Sequence, residues 1–180
     1  MKTPNSGFTL FELMVGIAIM GILVSLAVPS FQDYGRNTRA ISAQNDLVTA
    51  LNYARSEAIR RSQAVTVCAT SNFLACGTAD AWVEGWMAYV EDTGVGLGVR
   101  ANSEQILQMW RGPGAENVEI TATGTGSRFV TFTPTGMVVP ALNAKRLELN
   151  STACESGAER RRRLEISPIG AIRNDRVACP

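Results

Sequence analysis

The sequence predicts an α+β fold: a long N-terminal helix packed on an antiparallel β-sheet domain. Three observations predict it. Residues 8 to 28 read FTLFELMVGIAIMGILVSLAV, almost wholly apolar. Residues 29 to about 62 then carry apolar side chains at spacings of three and four. Beyond Ser62 the chain breaks into short β-type runs separated by Gly, Pro, Asn and Asp. The 180 residues suit one domain with an appendage, and 46% apolar against 18% charged composition suffices for a packed core.

The first element is a leader, residues 1–7, short and polar, with positive charge only at Lys2 and the amino terminus. The apolar run follows, and residues 8–29 are the expected transmembrane and polymerisation half of the helix. A helix of that length spans roughly 30 Å, the thickness of a bilayer's hydrocarbon core. An ordinary signal peptide places a small-residue cleavage site after such a run, whereas here the run continues into a helical pattern. Its one charge is Glu12. A carboxylate in a bilayer is costly and calls for a partner. Cutting after Gly7 creates an α-amino group at Phe8, four residues from Glu12, and the amine of an adjacent subunit is a candidate partner for that acid.

The second element is the amphipathic half of the helix, residues 30–62. Ile41, Leu47, Val48, Leu51, Ala54, Ala58 and Ile59 form one stripe. Arg36, Arg39, Asp46, Arg55, Glu57 and Arg60 mostly fall elsewhere. Pro29 lacks an N–H and predicts a kink between the two halves. Gly16, Ala18, Gly21, Ser25 and Ala27 allow close helix approach.

The third element, residues 63–180, contains seven β-type runs: AVTVCAT, GWMAYVE, EQILQMW, NVEITAT, RFVTFTP, KRLELN and RRLEIS. Trp82, Trp86, Tyr89 and Trp110 are its expected core aromatics. The glycine-rich pieces at positions 94 to 98 and 124 to 126 are not followed by helices and read as turns rather than phosphate cradles. Four cysteines in an exported chain suggest two disulfides. Pairing nearest neighbours, Cys68 with Cys76 and Cys154 with Cys179, is one of three possible connectivities.

The composition argues against enzymatic chemistry. There is no His, and Lys occurs only at positions 2 and 145. A nucleophile would lack its usual base, and no metal-ligand cluster, nucleotide motif or cofactor site appears. The remaining feature is basic. Arg160, Arg161, Arg162 and Arg163 are consecutive, and Arg173 and Arg176 follow. Arginine binds phosphate by charge and fork geometry, so these six are candidate contacts for DNA or for a protein partner. If the run begins a strand, alternation sends its members to opposite faces.

The stretch GFTLFELMVGIAIMGILVSLAVPSF resembles the leader of type IV pilins and type II secretion pseudopilins, with Phe11 in place of the usual aliphatic residue. The resemblance implies cleavage between Gly7 and Phe8 by a prepilin peptidase, N-methylation of Phe8, an assembly role for Glu12 and a helix bent at Pro29. It also implies a single-pass protein of the bacterial inner membrane with its C-terminal domain in the periplasm, later part of an extracellular pilus or a periplasmic pseudopilus. Beyond residue 62, the C…C pair, WVEGWMAYVED, FTPTG at 132–136 and ISPIG at 166–170 are similar to the GspH/FimT group of minor pilins and pseudopilins. The implied fold is type IV pilin-like. The implied role is a low-abundance subunit that helps start a type IV pilus and sits at its tip, among other minor pilins and the major pilin. DNA uptake and a type II secretion pseudopilus are the alternatives. The FimT signature Gly-Arg-x-Arg is represented by Gly170, Ala171, Ile172 and Arg173, so only its last Arg matches.

Overall fold

A computed structural model describes residues 9–91, 97–116, 118–124, 127–139, 145–151, 154 and 156–179. The side chains of residues 26–30 and 32–33 are also outside the description. The chain forms two compact units, Met1–Gly35 and Arg36–Pro180. Helix α1 runs over Leu10–Arg61 and is helical through position 29.

Local chemistry sets both ends of α1. At the start, the Thr9 hydroxyl accepts from the Glu12 N–H at 3.3 Å, and Glu12 Oε2 accepts from the Thr9 N–H at 3.0 Å. This reciprocal pair is a capping box, written in the sequence as T-x-x-E. At the end, Ser62 takes a left-handed φ of 54°. The Gln63 N–H reaches the Ala58 carbonyl at 3.3 Å and the Ser62 N–H reaches Ile59 at 3.4 Å. That is a Schellman termination, closed with Ser where Gly is usual.

Within the second unit, α1 buries Ala40, Ala43, Leu47, Ala50, Leu51, Ala54 and Ala58. Alanines dominate this stripe, so the helix lies close against the strands, and Leu47 and Leu51 fill the gaps, each contributing about 2 kcal/mol. Ile59 departs from the expected stripe: it is 51% exposed, because it lies about 100° round the helix from the fully buried Ala58. Glu57 is buried instead, held by Arg60 and Arg61 at 2.6 Å each. Those two hydrogen bonds pull its carboxyl down to about 2.

Nine described strands follow, in two antiparallel sheets. The first sheet holds β1 (Val65–Ala69), β2 (Gly85–Val90), β3 (Ile106–Arg111), β5 (Phe129–Phe132) and β6 (Val138–Val139), in the order β3-β2-β1-β5-β6. The second holds β4 (Val118–Thr123), β7 (Lys145–Ser151), β8 (Arg161–Ile166) and β9 (Ile172–Val177), in the order β4-β7-β8-β9. β1 is buried at every position. Val65, Val67 and Ala69 join the helix core, while Cys68 packs with Met87, Tyr89 and Phe129 in a second cluster on the far face.

Trp82, Trp86 and Tyr89 are fully buried, whereas Trp110 is half-buried on β3, the edge strand, against Tyr53 of α1 at 5.8 Å between ring centroids. The strands β6 and β9 go beyond the seven runs expected. β6 is only two residues long, and β9 reads IRNDRV, with no apolar alternation to announce it. Gly98 and Gly124 have φ of 72° and 105°, as turns require, while Gly94, Gly96 and Gly126 lie outside the described residues.

Candidate functional site

The first candidate surface is the exposed apolar segment of the N-terminal unit. Leu10, Ile17 and Leu23 are 77%, 65% and 60% exposed, with Phe11, Met14, Ile19 and Met20 similarly bare. Gly16 and Gly21 have no atom within 4 Å of a would-be Cβ, so both leave open space for another helix. Glu12 sits at the start of this surface, and its Oε2 also accepts from the Thr9 hydroxyl at 2.9 Å. Gly7 and Phe8, the expected cleavage and methylation positions, lie outside the described residues. Among the described residues no helix is long and apolar enough to cross a membrane. Phe8 and the side chains of 26–28, parts of the expected span, are outside that description.

The second feature explains two sequence motifs at once. FTPTG closes the β5–β6 turn through Gly136 N–H to Thr133 carbonyl at 2.8 Å, and ISPIG closes the β8–β9 turn through Gly170 N–H to Ser167 at 2.9 Å. The two turns belong to different sheets, yet the Val138 N–H donates to Pro168 at 2.9 Å across them. Arg55 of α1 completes the junction. Its Nε donates to the Gly136 carbonyl at 3.1 Å and its Nη2 to Ile169 at 3.2 Å. One guanidinium therefore ties the helix to both sheets. Nothing in the sequence pattern marked Arg55, because its acceptors are backbone carbonyls far along the chain.

The basic run resolves by strand geometry. Leu164 and Ile166 of β8 face the core, so Arg161 and Arg163 project from the other side. There both meet Glu148 of β7, at 3.0 and 2.8 Å. Arg146 approaches Glu165 at 3.5 Å. On β9, Arg173 stands opposite Glu165 and Asp175 opposite Arg163. This face alternates in sign and presents little net positive field. Arg162 falls on the opposite face, across from Arg176, and burial first and then that like charge lower its pKa. Arg160 is exposed in the preceding turn.

Both disulfides are of the nearest-neighbour type. Cys68 pairs with Cys76 at a Cα separation of 5.6 Å, and Cys154 with Cys179 at 5.7 Å, both within the usual range. The first staples the loop after β1 over the second cluster. The second ties the segment before β8 to the end of β9, beside a hydrogen bond from the Cys179 N–H to Ala158 at 2.9 Å.

Lys145 enters the sheet interface. It is 3% exposed, donates to the Phe129 carbonyl at 2.6 Å and lies 4.4 Å from the centroid of that ring. Burial holds its amine down to about 8. Between pH 8 and 10.5 the unfolded chain therefore binds more protons at this group than the folded one. Stability is expected to rise across that window by up to about 3 kcal/mol. Urea unfolding at the two ends of the window measures it, and Lys145→Met is expected to flatten the rise.

A family model described as Type II transport protein GspH matches residues 43–170, and one described as the prokaryotic N-terminal methylation motif matches residues 2–28. A fimbrial protein of Pseudomonas aeruginosa is 42% identical over 66 residues, which make up 37% of this chain and 42% of that protein. The type IV major pilin protein PilE of Neisseria gonorrhoeae is 59% identical over 34 residues, 19% of this chain and 20% of its own. The matched stretch is thus less than half the length of these relatives. In fold, the chain is similar to the crystal structure of the type IV minor pilin FimU of Pseudomonas aeruginosa. The TM-score is 0.56 at 23% identity, covering 79% of this chain and 92% of that one.

Proposed function

The chain belongs to the Type II transport protein GspH family, and from that premise we propose that it is a minor pilin that helps start a type IV pilus and sits at its tip. The family is structural and non-enzymatic, and its members interact with other pilins. Together with the methylation motif it implies a membrane-anchored pilin or pseudopilin.

The observation that carries the reading is the division of labour along α1. Residues 40 to 58 are spent on the protein's own core, while residues 10 to 24 leave a row of large apolar side chains uncovered. An exposed apolar surface of that extent marks a membrane or protein contact. In this reading residues 8–29 hold the subunit in the inner membrane until it joins the filament. A prepilin peptidase cuts between Gly7 and Phe8, Phe8 is methylated, and the disulfide-bonded domain faces the periplasm, where such bonds persist.

The charge pattern favours a protein partner over DNA. Arg161 and Arg163 already share Glu148, so presenting them to phosphate requires breaking those pairs. An alternating-sign face suits the matching face of another minor pilin.

Deleting the gene tests the assignment. Surface filaments are expected to fall by about tenfold or more, with the major pilin still accumulating in the membrane. Normal piliation with failed protein secretion would move the subunit to a type II secretion pseudopilus. Wild-type behaviour in both respects would overturn the proposal.

A further inference from the structure

β2 ends at Val90 and β3 begins at Ile106. Two acidic residues flank the connection, Glu91 at its start and Glu104 near its end, and both are almost fully buried, at 5% and 6% exposure. The backbone fixes each. The Glu91 N–H donates to the Ala64 carbonyl at 2.8 Å, and Glu104 Oε2 accepts from the Ala101 N–H at 2.7 Å. Both residues line one cavity of about 380 Å³, together with Gln63, Val90, Ser103 and Gln105.

Glu91 is the informative group. Its Oε2 accepts from the Thr66 hydroxyl and, at 3.4 Å, from the Gly98 N–H. Its Oε1 has no hydrogen-bond partner among the described residues. A buried carboxylate oxygen left unmatched is costly, and the cost doubles as a binding opportunity. Burial raises the pKa of Glu91 first, and the second carboxylate on the cavity adds to that as a lesser cause.

We propose that this cavity binds a hard divalent cation of the calcium type, with Glu91 Oε1 as the fixed ligand and Glu104 as the second acidic one. The lining supplies oxygen donors and no His or Cys, which excludes the softer metals. The Ser103 hydroxyl and the Gln63 amide oxygen are neutral donors, and water completes the shell. Gln105 is not counted, because its Oε1 already accepts from Arg61 at 3.2 Å. An irregular donor set suits the six to eight flexible positions of calcium better than the strict octahedron of magnesium. With two carboxylates and Arg61 at the rim, the affinity belongs near 10⁻⁴ to 10⁻³ M, roughly that of extracellular calcium modules. The ion would tie the loop carrying Gly98 and Ala101 to the ends of β2 and β3. The inference stands independently of the filament role.

The test uses the full chain in detergent micelles. Calcium chloride at about 10 mM is expected to raise Tm by roughly 3 °C or more, and equal magnesium by less than about half of that. Terbium emission sensitised by the neighbouring Tyr89 is expected to appear and to be displaced by calcium. Glu91→Gln, nearly isosteric, is expected to weaken the calcium response about tenfold. The charge-pair control Glu148→Gln is expected to leave it unchanged. If Glu91→Gln does not fold, Glu104→Gln takes its place. No calcium-dependent shift in the unaltered chain overturns the proposal, as does a full response in either acidic-site variant.

Discussion

Replacing Gly170 with alanine is expected to remove about 3–5 kcal/mol of stability, enough to unfold a marginal domain at growth temperature. The backbone there has φ of 77°, which an L side chain rarely adopts. A Cβ would also sit 2.1 Å from the Gly136 carbonyl oxygen and 3.1 Å from Arg55 Nε. That oxygen is the acceptor for Arg55, so the collision cannot be relieved without opening the junction of helix and both sheets. Gly157 supplies the control. It has φ of 84° but no atom within 4 Å of a would-be Cβ, and Gly157→Ala is expected to cost only about 1 kcal/mol of backbone strain. Urea denaturation midpoints compare the two. Equal costs would mean that Gly170 does not meet the other turn as described.

The second large effect is on assembly. Glu12→Ala is expected to reduce incorporation into filaments about tenfold or more, with the precursor still inserted in the membrane. Glu12 closes the capping box with Thr9. In the proposed assembly role its charge also pairs with the amino terminus of a neighbouring subunit. Alanine removes both. Glu12→Gln retains the box, since Gln serves at that position, and removes only the charge. The charge-pairing role predicts that Gln is as defective as alanine in sheared-filament immunoblots. Normal incorporation of the Gln variant would assign the alanine defect to the lost cap, worth about 1 kcal/mol, and would end the pairing account.

Features that rest on nearest neighbours were already legible in the order of residues. The helix shows in the three-and-four spacing of Leu47, Leu51, Ala54 and Ala58. β7 shows in the alternation of KRLELNS, whose Lys145, Leu147, Leu149 and Ser151 are buried while Arg146 is exposed. The opposing faces of Arg161 and Arg162 follow from the same period of two. In each case the periodicity of one element writes itself into residue types. The strand β9 was silent for the complementary reason: IRNDRV is a sheet edge whose side chains remain largely in water, so burial imposed no apolar pattern on it.

Tertiary structure was needed for whatever depends on groups distant in the chain. It divided the strands between two sheets, placed the FTPTG and ISPIG turns back to back, and gave Arg55 its carbonyl acceptors 81 and 114 residues away. It exposed Ile59 from within an apolar stripe and buried Glu57, because two arginines neutralise that acid where the helix ends. It also brought Glu91 and Glu104, thirteen positions apart, onto one cavity. Backbone carbonyls are the same for every residue type, and a cavity belongs to no single segment. Neither leaves a periodic trace in the chain, so only the packed fold could supply them.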